Sequence, residues 1–358
     1  MVQPGRAALP TLQPESGYDT LAGMNLAQTL FIASAENERP EGARRKPSGP
    51  SSPSGAHAAR TGPSTAKSLR SSRAPVFTRP AQPPPMRLTA RDTRVLEALH
   101  AFDGVLADYQ IQRLFFTGTS QTRLRLRLLY AHGYVARPDR RRRASLPCMV
   151  YWLERKGAAY VAGLSGASPD GFAYRREPKW LQLAHDLAVN DFRITVMQAC
   201  DHSRQLALEQ WVPQAEFWAH PDRVAYTDAR GHKHARCVRP DGYCIVREGA
   251  HLFRFLLELD RATEDNPRFA REKVLPGLAY LKSAVYAARF GHASGRWLVV
   301  TTSERRLRNL QRQAASAAGR DARAFHFTTF AQVTPETVLT APIWHLPGQE
   351  QPVALFKA

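Results

Sequence analysis

The chain has 358 residues and carries 50 Lys and Arg against 31 Asp and Glu, a formal net charge of +19. That length accommodates two domains and a tail, and the charge selects polyanionic partners, either nucleic acid or an anionic membrane surface. No apolar run is long enough for a membrane-spanning helix, there is no secretory leader pattern, and four cysteines without a CxxC pair point to reduced thiols in the cytoplasm.

Residues 1–86 hold 13 of the 26 prolines, with ten Lys/Arg against five Asp/Glu. Stretches such as RRKPSGPSSPSGAHAARTGPS bury too little apolar surface to offset the entropy of ordering, so this part reads as a disordered basic Pro-rich tail. Thr20 to Ala35 has the pattern of one short helix. The tail is either a linker or a basic arm adding non-specific DNA affinity.

Charge is densest over residues 87–164, with fourteen Lys/Arg against six Asp/Glu. Thr89 and Asp92 form a capping-box start, and Val95, Leu96 and Leu99 follow at helical spacing. Phe102, Asp103 and Gly104 end that helix. Asp108 opens a second helix to Phe116, with Ile111, Leu114 and Phe115 inward. Ser120 caps a third, Gln121 to His132, with Leu124, Leu128 and Leu129 on one face and Gln121, Thr122, Arg123, Arg125 and Arg127 mostly off it. Those polar positions lie near the N-terminal half, the end that a recognition helix inserts into the major groove. Tyr134–Arg137 and Met149–Leu153 read as two strands flanking a basic tip, Arg140, Arg141, Arg142 and Arg143. Helix-turn-helix, strand, basic loop and strand make a winged helix-turn-helix. Arg123 and Arg127 are the candidate helix contacts, and Arg141 and Arg142 the candidate backbone contacts. A winged helix used only for protein contacts, its arginines solvated, is the alternative.

Residues 175–345 read as a second domain and 346–358 as a C-terminal tail. Lys179 to Cys200 has the apolar stripe of one helix (Leu181, Ala184, Leu187, Ala188, Phe192, Val196). His185, Asp186, Asn190 and Asp191 lie on or near another face, where they either line a site or bond a neighbouring loop. A strand over Ala207–Val212 leads into an irregular polar segment to Ala235. Two strands follow, Pro240–Val246 and Phe253–Asp260, joined by a turn at Glu248 and Gly249. Alternation puts Phe253, Phe255, Leu257 and Leu259 on one face and Glu258 and Asp260 on the other, and pairing about the turn brings Asp241 near both acids. Carboxylates so placed repel unless a cation offsets them, and Mg²⁺ is a hard ion that such carboxylates and water hold. The bland alternative is a solvated strand end with its acids paired to Arg254 and Arg261. A helix starting at Asn266 and Pro267 carries Lys273, and Pro276 kinks it. Arg296–Thr301 is a buried strand, Glu304–Ala318 a basic helix and Phe325–Phe327 a last strand. This order describes an α/β (α+β) core with a mixed sheet. His232, His234, Cys237 and Cys244 are close in sequence, but their spacing fits no common structural zinc motif.

The PD dipeptide before one strand and the acidic pair on the next resemble the metal site of the PD-(D/E)xK nuclease superfamily, with its restriction-endonuclease-like fold. The resemblance assigns Asp241 and Glu258 to the metal, with Asp260 where the family's pattern has lysine and Lys273 supplying that charge from the next helix. On this reading Asp241, Glu258, Asp260 and Lys273 are the candidate catalytic residues, the three carboxylates the candidate Mg²⁺ ligands, and no organic cofactor is implied. Taken together, LTARDTRVLEAL, YWLERKGAAYVA, HDLAVNDFR, RPDGY, FLLELDRATE, REK and VVTTSERR resemble the replication-relaxation family of plasmids and mobile elements, over about residues 87–330. That resemblance implies double-stranded DNA as partner, a role near plasmid replication or transfer alongside proteins of those processes, and no membrane. Three functions stay open: a DNA-binding factor whose nuclease-like domain is inactive, an active Mg²⁺-dependent endonuclease or nickase, and a transcriptional regulator with a sensing C-terminal domain.

Overall fold

The computed structural model describes residues 77–357, apart from residue 171, residues 229–230 and residues 262–265. The helix read at Thr20–Ala35 and the tail as far as residue 76 lie outside the described residues. Residues 77–86, read as part of that tail, are fastened to the folded chain. Arg79 forms an ion pair with Glu154 and donates to the Tyr130 carbonyl at 2.9 Å, and the Tyr130 hydroxyl donates to the Phe77 carbonyl.

The first module is built from helices α1 (Ala90–Ala101), α2 (Asp108–Phe115) and α3 (Thr119–Ala131), strands β1 (Leu106–Ala107), β2 (Val135–Ala136) and β3 (Val150–Leu153), the short helix α4 (Arg140–Ala144) between β2 and β3, and α5 (Arg155–Leu164). The capping box forms as the sequence dictates. Thr89 Oγ1 accepts from the Asp92 N–H, and Asp92 Oδ2 accepts from the Thr89 N–H at 2.8 Å. After α1 the chain turns through Asp103 and Gly104, both at positive φ (52° and 82°), a conformation that Gly and Asp adopt at low cost. Strand β3 pairs antiparallel with both β1 and β2. Two details differ from expectation. The basic tip is a helical turn, because Asp139 Oδ1 accepts the Arg142 N–H at 2.7 Å and caps it. Helix α3 is rotated from the face expected: Thr122, Leu126 and Leu129 are buried while Leu124 is 45% exposed.

The second module is a five-stranded mixed sheet in the order β10 (Phe325–Thr329), β9 (Arg296–Thr301), β8 (His251–Asp260), β7 (Gly242–Glu248), β4 (Leu206–Pro213). Strands β4, β7 and β8 are antiparallel neighbours; β8, β9 and β10 run parallel. Parallel neighbours need a crossover. One is the helical stretch of α8 (Asn266–Phe269) and α9 (Leu275–Leu281), followed by the short α10 (Ala284–Phe290). The other is α11 (Glu304–Ala318) with the turn after it. These crossovers share one core with the strands: Leu256, Trp297, Val299 and Phe327 pack with Val274, Tyr280, Leu307 and Leu310. The turn of the β7–β8 hairpin falls at Gly249 and Ala250, one residue later than expected, with Gly249 at φ 55°. Helix α6 (Leu183–Asp201) starts four residues later than expected, and Leu181 is fully exposed.

The segment read as irregular is ordered. Helix α7 (Gln214–Ala219) leads into a two-stranded ribbon, β5 (Asp222–Thr227) with β6 (Lys233–Val238). Residues 346–358, read as a tail, fold back as far as residue 357: Trp344 and Val353 bridge, and Phe356 is buried against Phe253 and Phe255.

The polar residues of α6 join the two modules. Asn190 Nδ2 donates to the Val105 carbonyl at 2.8 Å, and Arg193 donates to the Ala101 carbonyl at 2.6 Å while stacking on Phe102. Gln110 Nε2 donates to the Leu187 carbonyl, and Asp191 accepts from Tyr109 and Arg113. The α6 side chains thus satisfy the buried carbonyls of the turn after α1, which a loop of that depth requires. Burial brings the Arg193 guanidinium down to about 10, with the Asp103 charge opposing the fall. Asn190→Ala strands the Val105 carbonyl. It is expected to cost about 1–3 kcal/mol, read as a lower urea midpoint at unchanged slope.

Candidate functional site

The register of β7 against β8 sets the geometry. Gly242 lies opposite Leu257, and the Asp241 N–H donates to the Leu257 carbonyl at 2.9 Å. Asp241 is thereby held beside Glu258. Its Oδ2 accepts the Leu259 N–H at 2.7 Å, and its Oδ1 meets His185 Nε2 at 3.0 Å and Gln214 Nε2 at 3.1 Å. Glu258 faces the crossover helices, where its carboxylate meets Lys273 Nζ at 2.7 and 3.0 Å. Lys273 lies in a π-helical turn, Ala270–Val274, that interrupts the helical stretch just before Pro276. Proline lacks the N–H for a regular rung, and such register shifts recur at functional sites.

Asp241 and Glu258 are both buried, 5% and 7% exposed. Burial pushes the Glu258 carboxyl well above the usual carboxylate range; Lys273 pulls it down, and the Asp241 charge pushes it further up. Burial pulls His185 down, but the hydrogen bond and charge of Asp241, with Glu258 behind it, carry it above the ordinary histidine value. The site therefore holds two opposed carboxylates, each with one nitrogen base or ammonium against it.

Of the four residues the sequence nominates here, the fold brings together three. Asp260 is on the same strand face as Glu258 but turns to other partners: Thr301 Oγ1 at 2.6 Å and Arg306 Nε and Nη2 at 2.8 and 2.9 Å. A bidentate guanidinium pair of that kind is a structural clamp. The three-carboxylate metal set is thus not assembled, and among the described residues no three His, Cys, Asp or Glu side chains gather to hold a metal ion. Asp241 and Glu258 alone still suit Mg²⁺, which takes one or two carboxylates plus water, and their mutual repulsion favours added positive charge. Arg254 does not fill the gap between the acids, since its guanidinium donates to the Leu252 carbonyl, and Arg261 is exposed. The His232, His234, Cys237 and Cys244 set does not form either: the histidines meet Asp228, Cys237 is exposed and Cys244 is buried in the sheet. His185 stood out in the sequence only as a polar residue on an apolar helix. Gln214 carried no signal at all, because it reaches Asp241 across 27 residues.

A second cluster lies on the first module. Arg123 and Arg127 are exposed on α3 and flank the exposed Leu124. With Arg137, Arg143, Met149 and Tyr151 they line an open groove of about 400 Å³ between α3 and the β2–β3 connection. Arg140, Arg141 and Arg142 are exposed on α4, Arg142 lying 4.5 Å over Trp180, while Arg143 is anchored to the Leu146 carbonyl at 2.6 Å. Gln121 is exposed and lies 3.5 Å from Arg91. Two nominated residues are turned away from the groove. Thr122 is 1% exposed and donates to the Gly118 carbonyl, and Arg125 is held in an ion pair with the fully buried Asp92.

The fold and its two clusters define a two-module mixed α/β protein that couples a basic helical groove to a buried acid–lysine cluster. The family model described as replication-relaxation matches residues 96–274, and the chain belongs to that family. The matched span contains α3, the groove, Asp241, Glu258 and Lys273, and ends before Arg306. Neither the curated proteins nor the solved structures contain a match. No helix among the described residues is long and apolar enough to cross a membrane.

The raised Glu258 carboxyl has a measurable sign. Below the unfolded carboxyl value, about 4.3, Glu258 is protonated whether the chain is folded or not. As pH rises through the higher folded value, ionisation favours the unfolded chain and stability is lost. In chelator, Glu258→Gln is expected to melt above the parent at pH 8 and close to it near pH 4, by thermal melts across that range.

Proposed function

We propose that this protein binds double-stranded DNA in the replication or transfer of a plasmid or mobile element. The first module serves as a winged helix-turn-helix, and the second, on a nuclease-like fold, is a docked platform beside it. The observation that carries this reading is the groove in which Arg123 and Arg127 of α3 face the cations of the β2–β3 connection. A recognition helix enters the major groove by its N-terminal half; that half of α3 presents Gln121, Arg123 and Leu124 outward, with Arg127 one turn further along the same side. Arg140, Arg141 and Arg142 lie where a wing meets phosphates. Arg125, spent on Asp92, fixes α3 against α1. Membership of the replication-relaxation family agrees with the plasmid setting.

Affinity of this kind comes largely from phosphate neutralisation and falls steeply with salt. Arg123→Ala with Arg127→Ala is expected to weaken duplex binding by at least tenfold at low salt, at about 1–3 kcal/mol per well-placed contact. Fluorescence anisotropy from 50 to 300 mM salt checks this. Unchanged affinity and salt slope would contradict the groove's role.

A second reading, DNA cleavage, has a specific observation in its favour: Asp241, Glu258 and Lys273 meet although they are far apart in sequence. Asp241 and Glu258 would hold Mg²⁺, which supplies Lewis-acid activation of a phosphate and its attacking water. Lys273 would offset charge on a bound phosphate, and His185 and Gln214 keep Asp241 oriented. Purified protein with Mg²⁺ or Mn²⁺ is expected to nick supercoiled plasmid on this reading, and Asp241→Ala with Glu258→Ala to abolish the nicking. Intact plasmid with the parent would leave the DNA-binding function alone.

A further inference from the structure

The β5–β6 ribbon has two unlike faces. Alternation and register place Asp222, Val224 and Tyr226 with Val238, Arg236 and His234 on one of them. That face anchors the ribbon. Val224 and Val238 are buried, Asp222 is bonded by Tyr280 and Arg289, and the Tyr226 hydroxyl donates to the Arg271 carbonyl at 3.2 Å. Arg271 is two residues from Lys273, in the same π-helical turn. At its other end the ribbon runs through Arg239 and Pro240 directly into Asp241. The ribbon is therefore fastened beside the acid–lysine cluster from both sides.

The outer face consists of Arg223, Ala225 and Thr227 paired with Cys237, Ala235 and Lys233, and all six are exposed. It contains no acid. The ribbon's two acids are occupied elsewhere, Asp222 on the inner face and Asp228 by His232 and His234 at the turn. Arg223 and Lys233 sit at opposite ends, four strand positions apart, about 13 Å at the usual rise. Between them lie only the small Ala225 and Ala235. The major groove is about 12 Å wide and admits a two-stranded ribbon. Cations spaced to reach phosphates on both of its banks, with a flat centre that allows close approach, match that shape.

We propose that the outer face of the β5–β6 ribbon is a second contact for duplex DNA, beside the acid–lysine cluster. This rests on the DNA-binding reading above and adds to it a surface separate from the α3 groove. The contact is to the backbone: Ala225, Ala235 and Thr227 offer no bidentate base readers, so the ribbon adds affinity and orientation and no sequence choice.

Cys237 lies on this face opposite Arg223 and reports on it without any mutation. The full chain is treated with a maleimide, with and without saturating duplex, and Cys237 labelling is followed by peptide mass spectrometry while anisotropy confirms binding. The expected result is severalfold slower labelling of Cys237 with DNA. In Arg223→Ala with Lys233→Ala, both exposed and outside the core, the expected result is restored labelling and a salt slope shallower by about 2, near 0.9 per phosphate lost. DNA bound with Cys237 labelling unchanged, or a double variant with the parent's slope, overturns the ribbon contact and leaves the α3 groove standing. A parent that binds no duplex overturns the DNA-binding reading and the ribbon with it.

Discussion

A carboxylate cannot be buried charged without a partner, and the second module is arranged around that constraint at Glu258. The side chain lies on the third position from the end of β8's ten-residue run, inside the core face that the crossover helices cover. Lys273 must reach it from those helices, and the π-helical turn before Pro276 presents it there. Asp241 sits across the hairpin and is pinned by the Leu259 N–H, so it cannot swing away from its like charge. The carboxylates remain opposed, with burial holding Glu258 toward its protonated form. A structure selected for stability alone would replace such a pair with apolar side chains of similar volume.

Asp260 shows how one strand face divides between support and chemistry. It is two residues from Glu258 and has the same outlook, yet it is bonded by Arg306 and Thr301. That clamp ties the end of β8 to β9 and to the first turn of α11, and so fixes the strand on which Glu258 sits. The same division appears on α3, where Arg125 locks the helix to α1 through Asp92 while Arg123 and Arg127 face outward. The first module and the acid–lysine cluster are joined by α6. Its first turn gives His185 to Asp241, and its middle gives Asn190 and Arg193 to the turn after α1. One helix thus bonds to the acid–lysine cluster at its start and to the first module at its middle.

Features with local causes were legible in the sequence. The Thr89–Asp92 capping box, the hairpin of β7 and β8 and the nearness of Asp241 to Glu258 stem from period and turn chemistry within a short span, whereas Lys273 comes only from the nuclease resemblance. Features set by distant partners were not. Nothing near Asp260 announces Arg306, 46 residues on, and nothing near Gln214 announces Asp241. The buried face of α3 lies a fraction of a turn from the stripe of Leu124, Leu128 and Leu129, because with Leu126 these leucines offer two overlapping apolar stripes and only tertiary packing chooses Leu126. The β5–β6 ribbon shows no strand period in the sequence, because only Val224 and Val238 are buried apolar residues in it.

Hydrogen–deuterium exchange of the full chain, with and without saturating duplex DNA, reads both basic surfaces and the helix between the modules in one experiment. Slowed exchange is expected in the N-terminal half of α3, in the connection that carries Arg140 to Arg143 and along the β5–β6 ribbon, with α6 little changed. Duplex that binds while leaving α3 and that connection at their unbound exchange rates would show that DNA is held elsewhere on the molecule, and DNA recognition by the α3 groove would be wrong.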